Sequence, residues 1–240
     1  MNNYPKIIHQ IWLSDKNLPP PDKWKESQEK WKETYSEYEY MLWTNENTKE
    51  LISKNYSQFE ETFYKFKYLI QRVDFLKFIL MHHYGGVYSD LDIVPLKRFD
   101  NLINTDSDCC ITRSEVNLRF YTNSFFIGKP KTKIWMDLMN ESVKKSKNNY
   151  LIKHAEVTMK TGSWLVTNVV NKYEGTITIL PNYFNPVIRD NEYFKSLEGK
   201  SWISWDTKIL IWLRTNWKWF TLLIIVLVIF ILILIFKRKK

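Results

Sequence analysis

Two aspartates separated by one residue, Asp90 and Asp92, are the side chains of this sequence best suited to chemistry. They follow the strand-forming run VYS, and successive side chains of a strand point to opposite faces, so the spacing predicts both carboxylates on one face. Mg²⁺ and Mn²⁺ prefer oxygen ligands and often use one or two carboxylates together with substrate phosphates. The pair therefore predicts a divalent cation site, for which a solvated strand end or turn is the alternative.

A helical segment ahead of the aspartates supplies further charged side chains. Apolar residues recur at spacings of three and four through residues 60–84, which predicts one helix that ends at the glycine pair 85–86. On this helix Asp74 and Lys77 are three positions apart and share a face. The glycines would fold the next strand back against the helix, so we expect Asp74, Lys77 and the aspartate pair to converge on one cleft. A salt bridge on an exposed helix face is the alternative.

Strands and helices alternate along the chain, which predicts an α/β sandwich with a largely parallel sheet. The strands are predicted at residues 6–13, 38–44, 87–96, 109–113, 123–128 and 176–180. The helices are predicted at residues 22–35, 60–84, 131–145 and 161–172. The aspartate pair would then lie at the carboxyl end of one of these strands.

The C-terminal segment has a different composition. Residues 220–236 form a run of 17 residues, FTLLIIVLVIFILILIF, without a charge, which corresponds to about 25 Å of helix. Trp217 and Trp219 precede the run, and the basic tail 237–240 follows it. This pattern predicts a single-pass transmembrane helix at 220–236 in the endomembrane system, preceded by a juxtamembrane segment at 207–219. The side of the membrane that holds the domain stays open.

Most of the net positive charge of this chain lies in its C-terminal segment. The formal charge is +9, from 35 basic and 26 acidic residues, and seven of the basic residues follow Asp206. Residues 1–206 therefore contain 28 basic and 26 acidic side chains. A nearly neutral domain argues against a nucleic-acid partner. The composition also excludes collagen-like and disordered classes.

The block QRVDFLKFILMHHYGGVYSDLDIVPL, at residues 71–96, resembles the signature of the sugar-transferring glycosyltransferases with a D-x-D motif, the family 32 type. That family includes the inositolphosphoceramide mannosyltransferases and many capsule enzymes. Further segments are similar to other pieces of the family pattern in the same order: PKIIHQIWLS, YEYMLWT, TNSFFIGKP, TGSWLVT and SWISW. The similar pieces cover roughly residues 4–206.

The resemblance implies a GT-A type nucleotide-sugar-binding fold for a catalytic domain at 1–206, in addition to the C-terminal transmembrane helix. It implies Mn²⁺ or Mg²⁺ as the cofactor and a nucleotide sugar as the donor. It favours the transfer of a hexose, mannose from GDP-mannose, to a lipid-linked or membrane-proximal acceptor such as an inositolphosphoceramide-type glycolipid.

The resemblance also implies roles for single residues. Asp92 matches the principal metal ligand, and Asp90 matches the aspartate at the ribose, the sugar and the metal. Asp74 matches an aspartate expected at ribose or donor-sugar hydroxyls, and these three aspartates are the implied catalytic residues. The implied donor-binding residues are Trp12, Asp74, Lys77, Gly86, Asp90, Asn123 and Trp205.

Two positions depart from the family pattern. Lys77 stands where the family usually has arginine, which keeps the charge but loses the bidentate fork that suits phosphate. Gly199 and Lys200 stand where the family often has a histidine ahead of the terminal Ser-Trp. A metal or diphosphate contact from that segment is therefore in question.

Two other functions remain as alternatives. The string DLDIV also fits the D-x-D-x-V motif of haloacid-dehalogenase-type phosphatases, although GGVYS rather than an apolar strand precedes it and no later acidic motif follows. The other alternative is a membrane-anchored nucleotide-sugar-binding protein with a degenerate transferase site.

Overall fold

The fold was obtained as a computed structural model. The structure describes residues 4–100, 103, 106–114, 119–181, 184–185, 191–197, 199, 204–218, 221, 224 and 228–229.

Strands and helices alternate as the sequence predicted. The strands are β1 (Ile7–Ile11), β2 (Glu39–Trp43), β3 (Gly86–Ser89), β4 (Ile93–Pro95), β5 (Cys109–Arg113), β6 (Tyr121–Gly128), β7 (Ile177–Leu180) and β8 (Phe194–Ser196). The helices are α1 (Lys25–Thr34), α2 (Asn45–Asn55), α3 (Ser57–Lys65), α4 (Leu69–His83), α5 (Lys133–Ser146), α6 (Lys153–Lys160), α7 (Ser163–Val170) and α8 (Trp205–Thr215). A 3₁₀ turn, Asp22–Trp24, precedes α1.

The central sheet has the strand order β2-β1-β3-β6-β5-β7. β1 pairs in parallel with β2 and with β3, and β5 pairs in parallel with β7. β6 runs antiparallel to its neighbours β3 and β5, while β4 and β8 form a separate antiparallel pair. The predicted mixed α/β architecture with a mostly parallel central sheet is confirmed. Because β1, β2 and β3 are parallel, their carboxyl ends meet at one edge, where ligands of such sheets bind.

Two apolar clusters cover the two faces of this sheet. Neighbouring strand residues alternate between the clusters, as the period of a strand requires: Tyr88 and Phe126 belong to the cluster that α4 packs against, and Val87 and Phe125 to the cluster that contains Trp31 of α1. The sheet is thus buried on both faces, which leaves its edges and loops for chemistry.

The helix predicted at 60–84 is divided in two. Phe66 adopts an extended conformation with ψ 126° after α3, and α4 begins three residues later. The side-chain Oε1 of Gln71 accepts a hydrogen bond from the backbone N–H of Tyr68 at 3.0 Å. This cap stabilises a new helix start, which the continuous apolar periodicity did not reveal.

The predicted fold class included a C-terminal transmembrane helix, and this part of the prediction was wrong. Within the described residues, no helix combines the length and the apolar composition needed to cross a bilayer. The described helix α8 has 11 residues, about 16 Å of helix against a hydrocarbon core of about 30 Å. The greater part of 220–236 and the whole of 237–240 lie outside the described residues.

The chain divides into two compact units. The first contains residues 1–151 and 155–200, and the second contains residues 152–154 and 201–240. In the second unit the backbone N–H of His154 donates to Asp206 Oδ2 at 2.7 Å. The boundaries predicted at 206 and 219 stay predictions.

Candidate active site

Asp90 and Asp92 lie in a turn at the carboxyl end of β3, here called the D-x-D turn (residues 90–92). The prediction of a continuous strand at 87–96 was wrong, because the backbone N–H of Ile93 bonds the carbonyl oxygen of Asp90 at 3.1 Å and closes a turn. The chain beyond it, β4, then pairs with β8 instead of extending the central sheet. The turn places both carboxylates at the edge where β1, β2 and β3 end.

A buried lysine connects the helix aspartate to the D-x-D turn. Lys77 Nζ donates to Asp74 Oδ1 at 2.9 Å and to the carbonyl oxygen of Asn123 at 3.2 Å, and it lies 3.0 Å from Asp90 Oδ1. These four residues are here called the ion cluster. The Lys77 side chain is 2% exposed, and an ammonium has three hydrogens. All three are therefore directed to oxygens of the protein.

Asp74 is equally enclosed. Its Oδ1 also accepts from Asn123 Nδ2 at 3.0 Å, and its Oδ2 accepts from Thr161 Oγ1 at 3.2 Å. Burial raises the pKa of Asp74 to about 6, against the opposing effect of Lys77. Burial alone would lower the pKa of Lys77, but Asp74 and Asp90 outweigh it and hold that pKa above its ordinary value. At neutral pH the pair is thus ionised.

Tyr88 is a site residue that the sequence prediction missed. Its hydroxyl donates to Asp90 Oδ1 at 2.6 Å, and its ring centroid lies 5.1 Å from Lys77 Nζ. Burial, followed by the charge of Asp90, raises the pKa of Tyr88 well above its ordinary value, so the phenol stays protonated. Asp90 therefore has one oxygen held by Tyr88 and Lys77, which leaves Oδ2 for a ligand. The position of Tyr88, two residues before Asp90 in a strand, was the available signal.

Asp92 has a different environment from Asp90. It is partly buried, and burial, followed by the charge of Asp90, raises its pKa to about 7. The backbone N–H of Leu197 donates to the carbonyl oxygen of Asp92 at 2.7 Å. A Cβ added at Gly199 would lie only 1.8 Å from Asp92 Oδ2. Gly199 stands where the family often has histidine, and a residue with a side chain at this position would collide with Asp92.

The two carboxylates of the D-x-D turn could supply part of the ligands of a hard divalent cation. Two neighbouring carboxylates supply oxygen ligands, and the raised pKa of Asp92 reflects burial first and the charge of Asp90 second. Among the described residues there is no group of three or more His, Cys, Asp or Glu side chains that could hold a metal ion. Such a set suits Mg²⁺ or Mn²⁺ when substrate phosphates and water complete the coordination shell.

Trp12 follows β1 at the same edge of the sheet. Its backbone N–H donates to the carbonyl oxygen of Trp43 at 2.8 Å, and its indole Nε1 donates to that of Leu18 at 2.6 Å. Its ring packs edge to face with Trp24, with 5.2 Å between the centroids. These contacts fix the orientation of a large, partly buried aromatic face at the carboxyl end of β1.

A cavity of about 200 Å³ lies between the carboxyl ends of β1 and β2 and the start of α4. Its lining residues are Leu13, Ser14, Asp15, Asn45, Thr48, Lys49, Phe63, Tyr64, Leu69 and Arg72. In the part of the chain that the structure describes, the buried Thr48 Oγ1 and Arg72 Nε have no hydrogen-bond partner. The cavity thus combines polar and apolar lining residues, as small-molecule sites commonly do.

Gly86 and Trp205 are the remaining donor-binding residues that the sequence predicted. Gly86 begins β3 with φ +89°, and a Cβ there would lie 2.5 Å from the carbonyl oxygen of Ile7, so its conformation shapes the turn between α4 and β3. Trp205 begins α8 in the second unit and is 71% exposed. Their donor contacts stay predictions.

Comparisons with known proteins agree with this chemistry. Residues 21–108 match the model of a family described as glycosyltransferase sugar-binding region containing DXD motif. The chain is 28% identical over 225 residues to inositol phosphoceramide mannosyltransferase 1 of Schizosaccharomyces pombe, across 90% of this chain and 67% of that protein. It is 29% identical over 220 residues to mannosyl phosphorylinositol ceramide synthase SUR1 of Saccharomyces cerevisiae, across 86% and 53%. The chain thus spans about half to two thirds of the length of these relatives.

A solved structure supports the fold. The PaToxG glycosyltransferase superimposes with a TM-score of 0.54 at 15% identity, across 70% of this chain and 68% of that one. The family match contains Asp74, Lys77 and the D-x-D turn, and it sets aside the phosphatase alternative. The chain is therefore similar to the DXD-containing sugar transferases, and these similarities support a glycosyltransferase.

Proposed function

We propose that the protein transfers mannose from GDP-mannose to a lipid-linked acceptor of the inositolphosphoceramide type. The names of the similar yeast proteins, which state mannosyl transfer to inositol phosphoceramide, support the sugar and the acceptor. The observation that carries the proposal is the convergence of the ion cluster and the D-x-D turn at the carboxyl edge of β1, β2 and β3. That arrangement can hold a nucleotide sugar with its diphosphate at the carboxylates.

The donor lies along this edge in our proposal. The nucleotide base stacks near Trp12 and reaches the cavity beside it, whose lining includes Thr48 and Arg72. The sugar lies at Asp90 Oδ2 and near Asn123. Asp74 is 2% exposed and has its oxygens engaged by the protein. We therefore assign Asp74 and Lys77 to positioning Asp90 rather than to contact with the donor.

Asp92 and Asp90 Oδ2 would hold Mn²⁺ or Mg²⁺ together with the donor phosphates. When bound, the cation supplies positive charge opposite the departing nucleoside diphosphate. The chain itself orients the two carboxylates: Tyr88 and Lys77 fix Asp90, and the approach of Gly199 limits the positions of the Asp92 side chain.

Transfer assays with purified protein test the function. Wild type is incubated with detergent-dispersed inositolphosphoceramide, Mn²⁺ and, in turn, GDP-mannose and a panel of other nucleotide sugars. We expect lipid product from GDP-mannose and a loss on the order of 10²-fold or more in Asp92→Asn. Asp137→Asn, which breaks an exposed ion pair with Lys133 on α5, is the matched control.

Three outcomes would contradict the proposal. If lipid product forms only from another nucleotide sugar, GDP-mannose is not the donor. If Asp92→Asn keeps full activity, Asp92 is not a ligand of the metal ion. Donor binding without any turnover on any acceptor would instead favour the degenerate binding protein.

A further inference from the structure

The enclosure of Lys77 leaves the charge of the donor diphosphate without its expected protein partner. The resemblance assigned Lys77 to the donor, but its three N–H groups are directed to Asp74, Asp90 and the Asn123 carbonyl. A buried ammonium with its hydrogens engaged cannot turn to a phosphate without breaking the ion cluster. Apart from the metal ion proposed above, a protein contact to the diphosphate therefore has to come from another basic side chain near the D-x-D turn.

Lys23 is placed by helix α1 at that turn. Ser27 Oγ and Trp31 Nε1, both on α1, donate to the carbonyl oxygen of Ile93 at 2.6 and 2.9 Å. Gln10 Nε2 adds bonds to Ser27 Oγ at 3.0 Å and to the Asp90 carbonyl at 3.2 Å. These bonds hold the start of α1 against both ends of the D-x-D turn. Lys23 lies in the 3₁₀ turn one helical turn before Ser27.

The ammonium of Lys23 lies among the residues proposed to bind the donor. Its Nζ is 4.7 Å from the centroid of the Trp24 ring, and Trp24 packs against Trp12. Lys23 thus lies beside the aromatic face proposed for the base, at the end of α1 that is held against the D-x-D turn.

The donor diphosphate would lie between Trp12 and Asp92 in this arrangement, and the Lys23 side chain beside Trp24 is exposed. We propose that Lys23 binds the diphosphate of the donor in place of the enclosed Lys77. A lysine suits this task because its compact charge sits on a flexible stem and binds phosphate oxygens as a point charge. The inference rests on the proposed function, since it takes a nucleoside diphosphate as the ligand.

Binding measurements separate the contribution of the diphosphate from that of the base. Calorimetry in Mn²⁺ gives the Kd of GDP, UDP and ADP, and of the corresponding nucleosides, for wild type, Lys23→Gln and Lys25→Gln. Lys25 is the matched control, because it is two residues away, is exposed and pairs with Asp22 at 2.6 Å. Both variants lose one positive charge, so a general electrostatic effect would appear in both.

We expect Lys23→Gln to weaken the binding of the preferred diphosphate about tenfold or more, the effect of one lost charge-assisted hydrogen bond. The nucleoside should bind equally to all three proteins, and Lys25→Gln should match wild type. An affinity of Lys23→Gln within twofold of wild type, or an equal loss in Lys25→Gln, overturns the assignment of Lys23. If wild type binds UDP or ADP more tightly than GDP, the proposed GDP-mannose donor is wrong, but the preferred diphosphate still tests Lys23. If wild type binds none of the diphosphates, both proposals are wrong.

Discussion

The two carboxylate oxygens of Asp90 have different roles in our proposal. One carboxylate oxygen accepts from the Tyr88 hydroxyl and pairs with the Lys77 ammonium, and the other is the one proposed to bind a ligand. Tyr88→Phe removes one of these contacts without changing the volume of the buried ring, so the orientation of Asp90 should loosen.

We expect Tyr88→Phe to lower kcat/KM about tenfold, since a hydrogen bond to a charged group contributes ~1.5–3 kcal/mol. Steady-state kinetics measure the effect. Tyr173→Phe is the control, because it removes a similar bond of 2.8 Å, to Asp108 Oδ2. Equal losses in the two variants would mean that the effect is general and that Tyr88 does not position Asp90.

Neutralising Lys77 should unfold the protein more readily. Lys77→Met leaves Asp74 buried without its cation, and breaking a buried ion pair costs about 3–5 kcal/mol. Urea titration at pH 7 measures the loss in the free energy of unfolding. The double variant Asp74→Asn/Lys77→Met should recover part of that loss, and a double variant as unstable as the sum of the two single variants would exclude the coupling.

The sequence was informative at the residue scale where neighbours in sequence are neighbours in space. The spacing of Asp74 and Lys77 on one helix face, and their convergence with Asp90, were predicted from local geometry. Thr161, by contrast, contacts Asp74 although the two residues are 87 positions apart in the chain. No local sequence pattern predicts such a contact.

At the scale of elements, His9 connects three parts of the first unit. Its Nδ1 accepts from Trp43 Nε1 of β2 at 3.1 Å, and its Nε2 lies 3.0 Å from the carbonyl oxygen of Gly85 in the turn before β3. The bond from Trp43 requires the neutral imidazole with its proton on Nε2, so Nε2 donates to Gly85. Protonation of Nδ1 would break the hydrogen bond from Trp43.

This arrangement predicts a pH dependence of stability. Burial lowers the pKa of His9 to about 4, from an ordinary value of 6.5. Below pH 6.5 the unfolded chain takes up a proton that the folded chain excludes. His9 should therefore reduce the free energy of unfolding as the pH falls from about 6.5 to about 4, by up to ~3 kcal/mol.

Urea titrations of wild type and His9→Gln between pH 7 and pH 4.5 test this prediction. The difference in the free energy of unfolding between the two proteins should shrink as the pH falls. An imidazole NMR titration of wild type gives an independent check, and a pKa of His9 near 6.5 would contradict the prediction.

The elements were predictable where apolar residues dominate them. β1, β2 and β5 were expected close to their observed positions because their side chains are largely apolar. Helix α2 was missed because its buried residues are only Thr48, Leu51 and Ile52, too few for a helical period. The D-x-D turn was taken for a strand because the backbone bond that closes it has no sequence signature.

At the scale of the whole molecule, the sheet determines where ligands can bind. Alternation of elements predicted its mostly parallel order, whereas the antiparallel direction of β6 depends on pairing between distant segments. The C-terminal prediction relied on composition alone, and the described helices do not include a transmembrane one.

Ligand binding at the sheet edge should stabilise the whole fold. Because the D-x-D turn supplies a partial ligand set, Mn²⁺ alone should shift Tm little, while Mn²⁺ with GDP should raise it by about 5 °C. Differential scanning fluorimetry with each ligand alone and with both measures the synergy. Asp92→Asn should lose it, and an equal shift in that variant would place the cation elsewhere.

The burial of Asp74 and Lys77 determines how an inactive form of this protein has to be made. Alanine at either position would disrupt the hydrogen-bonded interior of the first unit, so a cell carrying such a variant could lack the protein altogether. Asp92 lies outside the ion cluster and is only partly buried. We therefore expect Asp92→Asn to be catalytically silent but correctly folded, which is the comparison that a genetic complementation experiment requires.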